Sequence, residues 1–150
     1  MSFRQKLFLI LTISSTLFIF SNSLQTAESS SSESGIFVNF LNNILSFLNI
    51  NASRDFLTFL IRKSAHVVEF MLQSVFLCGF FLNCRKKFRE YLVHIMFSGI
   101  ITACIDEALQ LTSPGRSGQI SDVFVDFSGT LIGILIIILV LYFYKRKSGA

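Results

Sequence analysis

Tryptophan is absent from this 150-residue chain, proline occurs once, cysteine three times, and Asp, Glu, Lys and Arg together make up only 15% of it. With so little charge and a hydrophobic content of 52%, a water-soluble domain is excluded. A chain this short cannot bury that much apolar surface, so lipid must cover much of it. Cys78, Cys84 and Cys104 have no CxxC spacing and no nearby histidine partner, which leaves no thiolate metal or redox motif. Two of them fall inside apolar runs, and all three read as packing residues. The net charge of +4 does not point to nucleic acid. Its basic clusters, Arg85-Lys86-Lys87-Phe88-Arg89 and Lys145-Arg146-Lys147, directly flank hydrophobic segments, where they act as topology signals.

Four apolar runs are present, over residues 6–21, 64–83, 91–110 and 123–144. Each is near the roughly 20 residues that a helix needs to cross about 30 Å of hydrocarbon. The expected fold is therefore an all-α integral membrane bundle of four transmembrane helices, forming one domain over residues 1–150. The first run follows Arg4 and Lys6 and precedes Ser21-Asn22-Ser23, so on residues alone a cleavable signal peptide rivals a retained helix. The Lys and Arg of the short loops put both termini and the Arg85 to Arg89 loop on the cytoplasmic side of the membrane, and the 21–63 and 111–121 connections outside. In the first outer connection, residues 28–35 are serine-rich and read as flexible. Residues 36–49 then alternate between an apolar face (Phe37, Phe40, Leu41, Ile44, Leu45, Leu48) and a polar one (Asn39, Asn42, Asn43, Ser46, Asn49). This predicts an amphipathic helix, either lying in the membrane interface or packed over the mouth of the bundle.

Ionisable groups inside a spanning helix cost on the order of 2.5 to 3.5 kcal/mol each, so their positions carry information. In the second run Arg62, Lys63, His66, Glu69, Phe70 and Gln73 share about a third of the helix circumference. In the third run Asp106 shares a face with Gln110, and Gly99 and Ala103 extend that face with small residues; Glu107 is adjacent. In the fourth, Asp122, Asp126, Gly129 and Gly133 form one stripe. Counting rise from the helix ends places His66, Glu69, Asp106, Glu107, Asp122 and Asp126 within about ten ångströms of the outer surface. Neighbouring carboxylates cannot all stay ionised in a desolvated site without cations. Lys63, Arg62, a protonated His66 and Arg116 are the internal candidates, and protons or a divalent metal the external ones. His66-x-x-Glu69 lacks the specificity of HExxH, so neither a metal nor any other cofactor is assigned.

These residues carry a resemblance. Arg62-Lys63-Ser64-Ala65-His66-Val67-Val68-Glu69-Phe70, Asp106-Glu107 with Gln110, and Pro114-Gly115-Arg116 followed by Asp122, Asp126, Gly129 and Gly133 together resemble the VanZ-like family of small bacterial membrane proteins over nearly the whole chain. The serine-rich stretch after the first run also resembles the family and favours a retained first helix. Phe70 stands where the family often has tyrosine, which leaves no phenolic hydroxyl there. The resemblance implies a link to the cell envelope, the founding member being associated with low-level resistance to the glycopeptide teicoplanin, and it implies no mechanism.

Three functions follow as expectations. In the first, an outward pocket with Lys63, Gln110, Arg116 and Asp122 as ligand-binding residues engages an anionic lipid-linked or cell-wall-related ligand. In the second, an intramembrane enzyme acts on such a ligand through His66, Glu69, Asp106, Glu107 and Asp126 as candidate catalytic groups. In the third, the polar residues form an ion-pair network in a structural or partner-binding bundle. Lipid bilayer is the partner common to all three, and the sequence does not give the oligomeric state.

Overall fold

Helix starts along the chain are marked by hydroxyl side chains. Ser2 accepts from the Gln5 amide, and the Gln5 side chain returns to the Ser2 amide at 2.7 Å, a capping box that opens α1 (Phe3–Ser23). Thr26 caps α2 (Ala27–Phe47) and Ser53 caps α3 (Arg54–Leu82) in the same way, by accepting from the backbone three residues on. A short 3-10 turn, Phe88–Tyr91, leads into α4 (Leu92–Gln110), and α5 (Ile120–Ser148) completes the chain. The computed structural model describes residues 1–84 and 87–148, so Arg85 and Lys86 of the basic loop lie outside the described residues. All regular structure among the described residues is helical. Helices α1, α3 and α5, and the stretch Phe88–Gln110, are long and apolar enough to cross a membrane.

Two boundaries differ from the sequence expectation. Helix α3 starts at Arg54 rather than at residue 64, because Arg62 and Lys63 interrupt the apolar run without interrupting the helix. Helix α2 starts at Ala27, so residues 28–35 are helical rather than flexible. The Ser32 and Ser34 hydroxyls donate back to the Ser29 and Ser30 carbonyls at 2.7 and 2.8 Å, which satisfies them within the helix, and Ser34 and Val38 are buried. The apolar residues Phe37, Phe40 and Ile44 remain exposed. At its far end α2 closes in a Schellman motif: Ile50 donates to Leu45 O and Asn49 to Ser46 O, with Asn49 in the left-handed region at φ 57°.

Helix α3 is central, packing most extensively against α5 and then against α1. The α3–α5 approach is close because Gly129 and Gly133 face the carbonyl oxygens of Val67 and Met71, where a Cβ on either glycine would overlap them. Gly99 on α4 meets the Thr130 side chain in the same way. Ile19, Phe70 and Ala103 form one buried apolar cluster, and Cys78, Ile95 and Ile134 another toward the 3-10 turn. Of the cysteines, only Cys78 packs inside; Cys84 is half-buried and Cys104 exposed. Leu17, Phe124 and Val140 are among many large apolar side chains pointing outward, the surface that lipid covers.

The packing at Gly129 predicts that Gly129→Ala lowers stability in detergent by about 1–3 kcal/mol, since the added methyl meets backbone and not a movable side chain. Gly35→Ala, with open space around it in the interior of α2, is expected to raise stability by about 0.5–1 kcal/mol. Thermal unfolding of the two purified variants checks both signs.

Candidate functional site

Four helices and one turn converge on a polar centre. The turn is built by Ser113-Pro114-Gly115-Arg116, in which the Arg116 amide donates to Ser113 O at 3.2 Å. Proline at the second position and Gly115 at φ 76° at the third are the residues a type II turn requires. The turn is pinned to the start of the chain. Ser113 Oγ donates to Ser23 O at 2.9 Å, and the Ala27 amide donates to Pro114 O at 3.2 Å. This anchoring carries the half-buried Arg116 side chain into the bundle mouth. Burial pushes its pKa below the ordinary arginine value, Arg62 adds to the shift, and Asp106, Glu107 and Glu69 oppose it. Arg116 Nε and Nη1 nonetheless have no hydrogen-bond partner among the described residues.

Asp106, with no exposed surface, accepts from Ser23 Oγ through one oxygen and from Gln110 Nε2 at 3.0 Å through the other. Glu107 accepts from Gln110 at 3.0 Å and from the Gln119 amide at 2.8 Å, tying α4 to the start of α5. Glu69 accepts from Asn22 Nδ2 at 2.8 Å through Oε1, while its buried Oε2 has no partner among the described residues. Asp122 forms an ion pair with Lys63. His66 Nδ1 stands 3.7 Å from Asp106 Oδ2 and 3.6 Å from Asp126 Oδ1, beyond hydrogen-bond reach of both. Asp126 is 2% exposed and its Oδ2 has no partner among the described residues. Below this layer Gln73 donates to Thr16 at 2.7 Å and to Thr102 at 3.4 Å, joining α1, α3 and α4.

Space around the centre is divided in two. One cavity of about 170 Å³ is lined by Lys63, Gln110, Gln119 and Asp122; a second of the same volume lies under α2, against Asn22, Ser34, Phe37 and Glu69. Arg62, His66 and Arg116 line both and form the wall between them. The candidate ligand-binding residues Lys63, Gln110, Arg116 and Asp122 thus share the first cavity, whereas Glu69 opens onto the second. Asp106, Glu107 and Asp126 line neither; they form a buried layer beyond His66. Of these, His66, Asp106 and Asp126 present atoms within 4.8 Å of one another, the arrangement that could hold a metal ion.

Sequence reasoning missed Asn22 and Ser23, which bring α1 into the site. Their signal was a pair of polar residues directly at the end of an apolar run, where a terminator and a partner look alike.

The class that this fold and site define is a multi-pass membrane protein with a buried, hydrogen-bonded polar centre at one end of its bundle. Residues 8–141 match the model of the VanZ/LLP1 family, and the chain belongs to that family. No curated protein and no solved structure matches it.

The buried Ser23 to Asp106 hydrogen bond predicts that Ser23→Ala destabilises the protein by about 1 kcal/mol, as such bonds do within membranes. Ser53→Ala, at an exposed helix cap, serves as the comparison in thermal unfolding, because its loss is local to α3.

Proposed function

We propose that this VanZ/LLP1 protein is a cell-envelope membrane protein whose two-chambered polar mouth faces outward and binds the anionic headgroup of a lipid-linked or cell-wall-related ligand. The observation that carries the reading is Arg116: a half-buried guanidinium at the wall of both cavities with two nitrogens that have no partner among the described residues. An arginine fork offers paired donors that match phosphate or carboxylate oxygens, and Arg62 adds positive charge to the first cavity, where Lys63 is paired with Asp122. Volume limits the ligand. Pockets that enclose a whole drug-sized molecule span about 300–1,000 Å³, so cavities of about 170 Å³ suit a phosphate-sized headgroup whose tail stays in lipid.

Orientation rests on the basic tail Lys145-Arg146-Lys147 and the Arg85 to Arg89 loop being cytoplasmic, which puts the mouth and α2 on the outer side. The exposed apolar face of α2, with Phe37, Phe40 and Ile44, then lies in the outer interface beside the second cavity. A headgroup site in that position would hold an envelope precursor at the outer surface, and the family's founding member is associated with low-level resistance to the glycopeptide teicoplanin. A second reading, acid–base chemistry on the same ligand, is favoured by His66 lying between Asp106 and Asp126, with Glu69 and Glu107 as further acids. A purely structural or partner-binding bundle would instead use the Asn22–Glu69 and Ser23–Asp106 hydrogen bonds as fasteners between helices.

Binding of a polyprenyl phosphate to the protein in nanodiscs tests the headgroup reading. Arg116→Ala is expected to weaken it by about tenfold or more, the loss of one charge-assisted contact. Arg116→Lys, which keeps the charge and loses the fork, should recover only part of it. Unchanged affinity in Arg116→Ala and Lys63→Ala, at equal amounts of folded protein, would overturn the proposal. Conversion of the probe by the wild type, lost in Glu69→Gln or Asp126→Asn, would establish the enzymatic reading instead.

A further inference from the structure

We propose that His66, Asp106 and Asp126 form a binding site for a divalent first-row transition-metal ion. The spacing is the first argument. A protonated Nδ1 between two carboxylates is expected to close on one of them to about 2.7–2.9 Å, yet His66 Nδ1 stands at 3.7 and 3.6 Å from the two acids. Ligands about 2.1 Å from a shared ion at tetrahedral angles lie about 3.4 Å from one another, close to both distances. All three donor atoms fall within 4.8 Å of one another.

Unused donor capacity is the second argument. Asp126 is 2% exposed, stands against His66 through Oδ1, and leaves Oδ2 without a protein partner among the described residues. His66 Nδ1 is likewise buried and has no hydrogen-bond partner among the described residues. An ionised carboxylate buried without a partner is strongly disfavoured in a membrane bundle and takes up either a proton or a metal ion. The nearby lysine is committed elsewhere, since Lys63 pairs with Asp122.

The surroundings supply the third. Metal-ligating carboxylates are held by outer hydrogen bonds, and Asp106 receives them from Ser23 and Gln110. His66 lines both cavities, which provides a path for the ion. One imidazole with two carboxylates selects a transition ion such as Zn²⁺ or Mn²⁺ over Ca²⁺ or Mg²⁺, which prefer all-oxygen shells.

The test uses the full chain purified in detergent without any lipid-linked ligand, so its result is separate from that of the headgroup reading. Zn²⁺ and Mn²⁺ are added, and bound metal is measured after desalting and by competition with a chelator. The wild type is expected to retain one ion per chain. His66→Ala and Asp126→Asn should each weaken binding by at least about tenfold, and Glu90→Gln, on the exposed 3-10 turn, should leave it unchanged. Pulsed electron paramagnetic resonance of the Mn²⁺-loaded wild type reads the histidine directly, through coupling to a ligating nitrogen, and needs no variant to fold. Wild-type protein that retains neither ion, Mn²⁺ without nitrogen coupling, or wild-type affinity in His66→Ala and Asp126→Asn would each overturn the site.

Discussion

A carboxylate surrounded by lipid-covered helices must be met by donors or cations, and this requirement organises the end of the bundle where α1 and α4 finish and α5 begins. Asp106, Glu107 and Asp126 are buried near the end of α4 and the start of α5, and Glu69 is half-buried midway along α3, where the end of α1 meets it. Glu69, Asp106 and Glu107 are served from several parts of the chain: Asn22 and Ser23 of α1, Gln110 of α4 and the backbone of Gln119. Removing any one partner leaves an acid underserved in a medium where water does not easily substitute. The polar centre therefore fixes how α1, α3, α4 and the connection before α5 sit together, while apolar packing alone would leave their rotation and depth less constrained.

Close backbone approach makes that centre possible. Gly129 and Gly133 bring α5 against the Val67 and Met71 carbonyls of α3, and Asp126 lies one turn before Gly129 on the same stripe. The small residues thus set the distance at which Asp126 meets His66. The same geometry explains why the buried acids open onto neither cavity. They sit beyond His66, where helix contact is tightest, while longer side chains on the rim, Lys63, Arg62 and Arg116, enclose the cavities. Basic groups thus lie at the rim and buried acids below them.

Helical phase and hydropathy alone were enough for much of the architecture. Four apolar stretches, the grouping of His66, Glu69 and Gln73 on one face of α3, and the Asp126-Gly129-Gly133 stripe of α5 all follow from residue spacing, since a helix repeats every 3.6 residues whatever surrounds it. The VanZ/LLP1 relationship was legible for a similar reason: its motifs are short runs such as Arg62-Lys63-Ser64-Ala65-His66, written along single helices. The helical state of residues 28–35 was not legible, because serine-rich composition reads as solvated when the hydroxyls' own back-bonding is out of view.

Periodicity names a face and not the group opposite it, which is why the partners came only with the fold. That Lys63 meets Asp122 rather than Glu69, and that Asn22 and Ser23 serve Glu69 and Asp106, depends on the rotation and depth of separate helices. The place of Arg116 depends on a type II turn at Pro114-Gly115 docked against Ser23 and Ala27 by hydrogen bonds that span most of the chain. The division of the mouth into two cavities depends on where three long basic or aromatic-ring side chains, Arg62, Arg116 and His66, come to rest between helices. Residue spacing thus determined which side chains face inward. Three-dimensional packing alone decided which of them touch, because those contacts join residues whose separation along the chain encodes nothing about their distance in space.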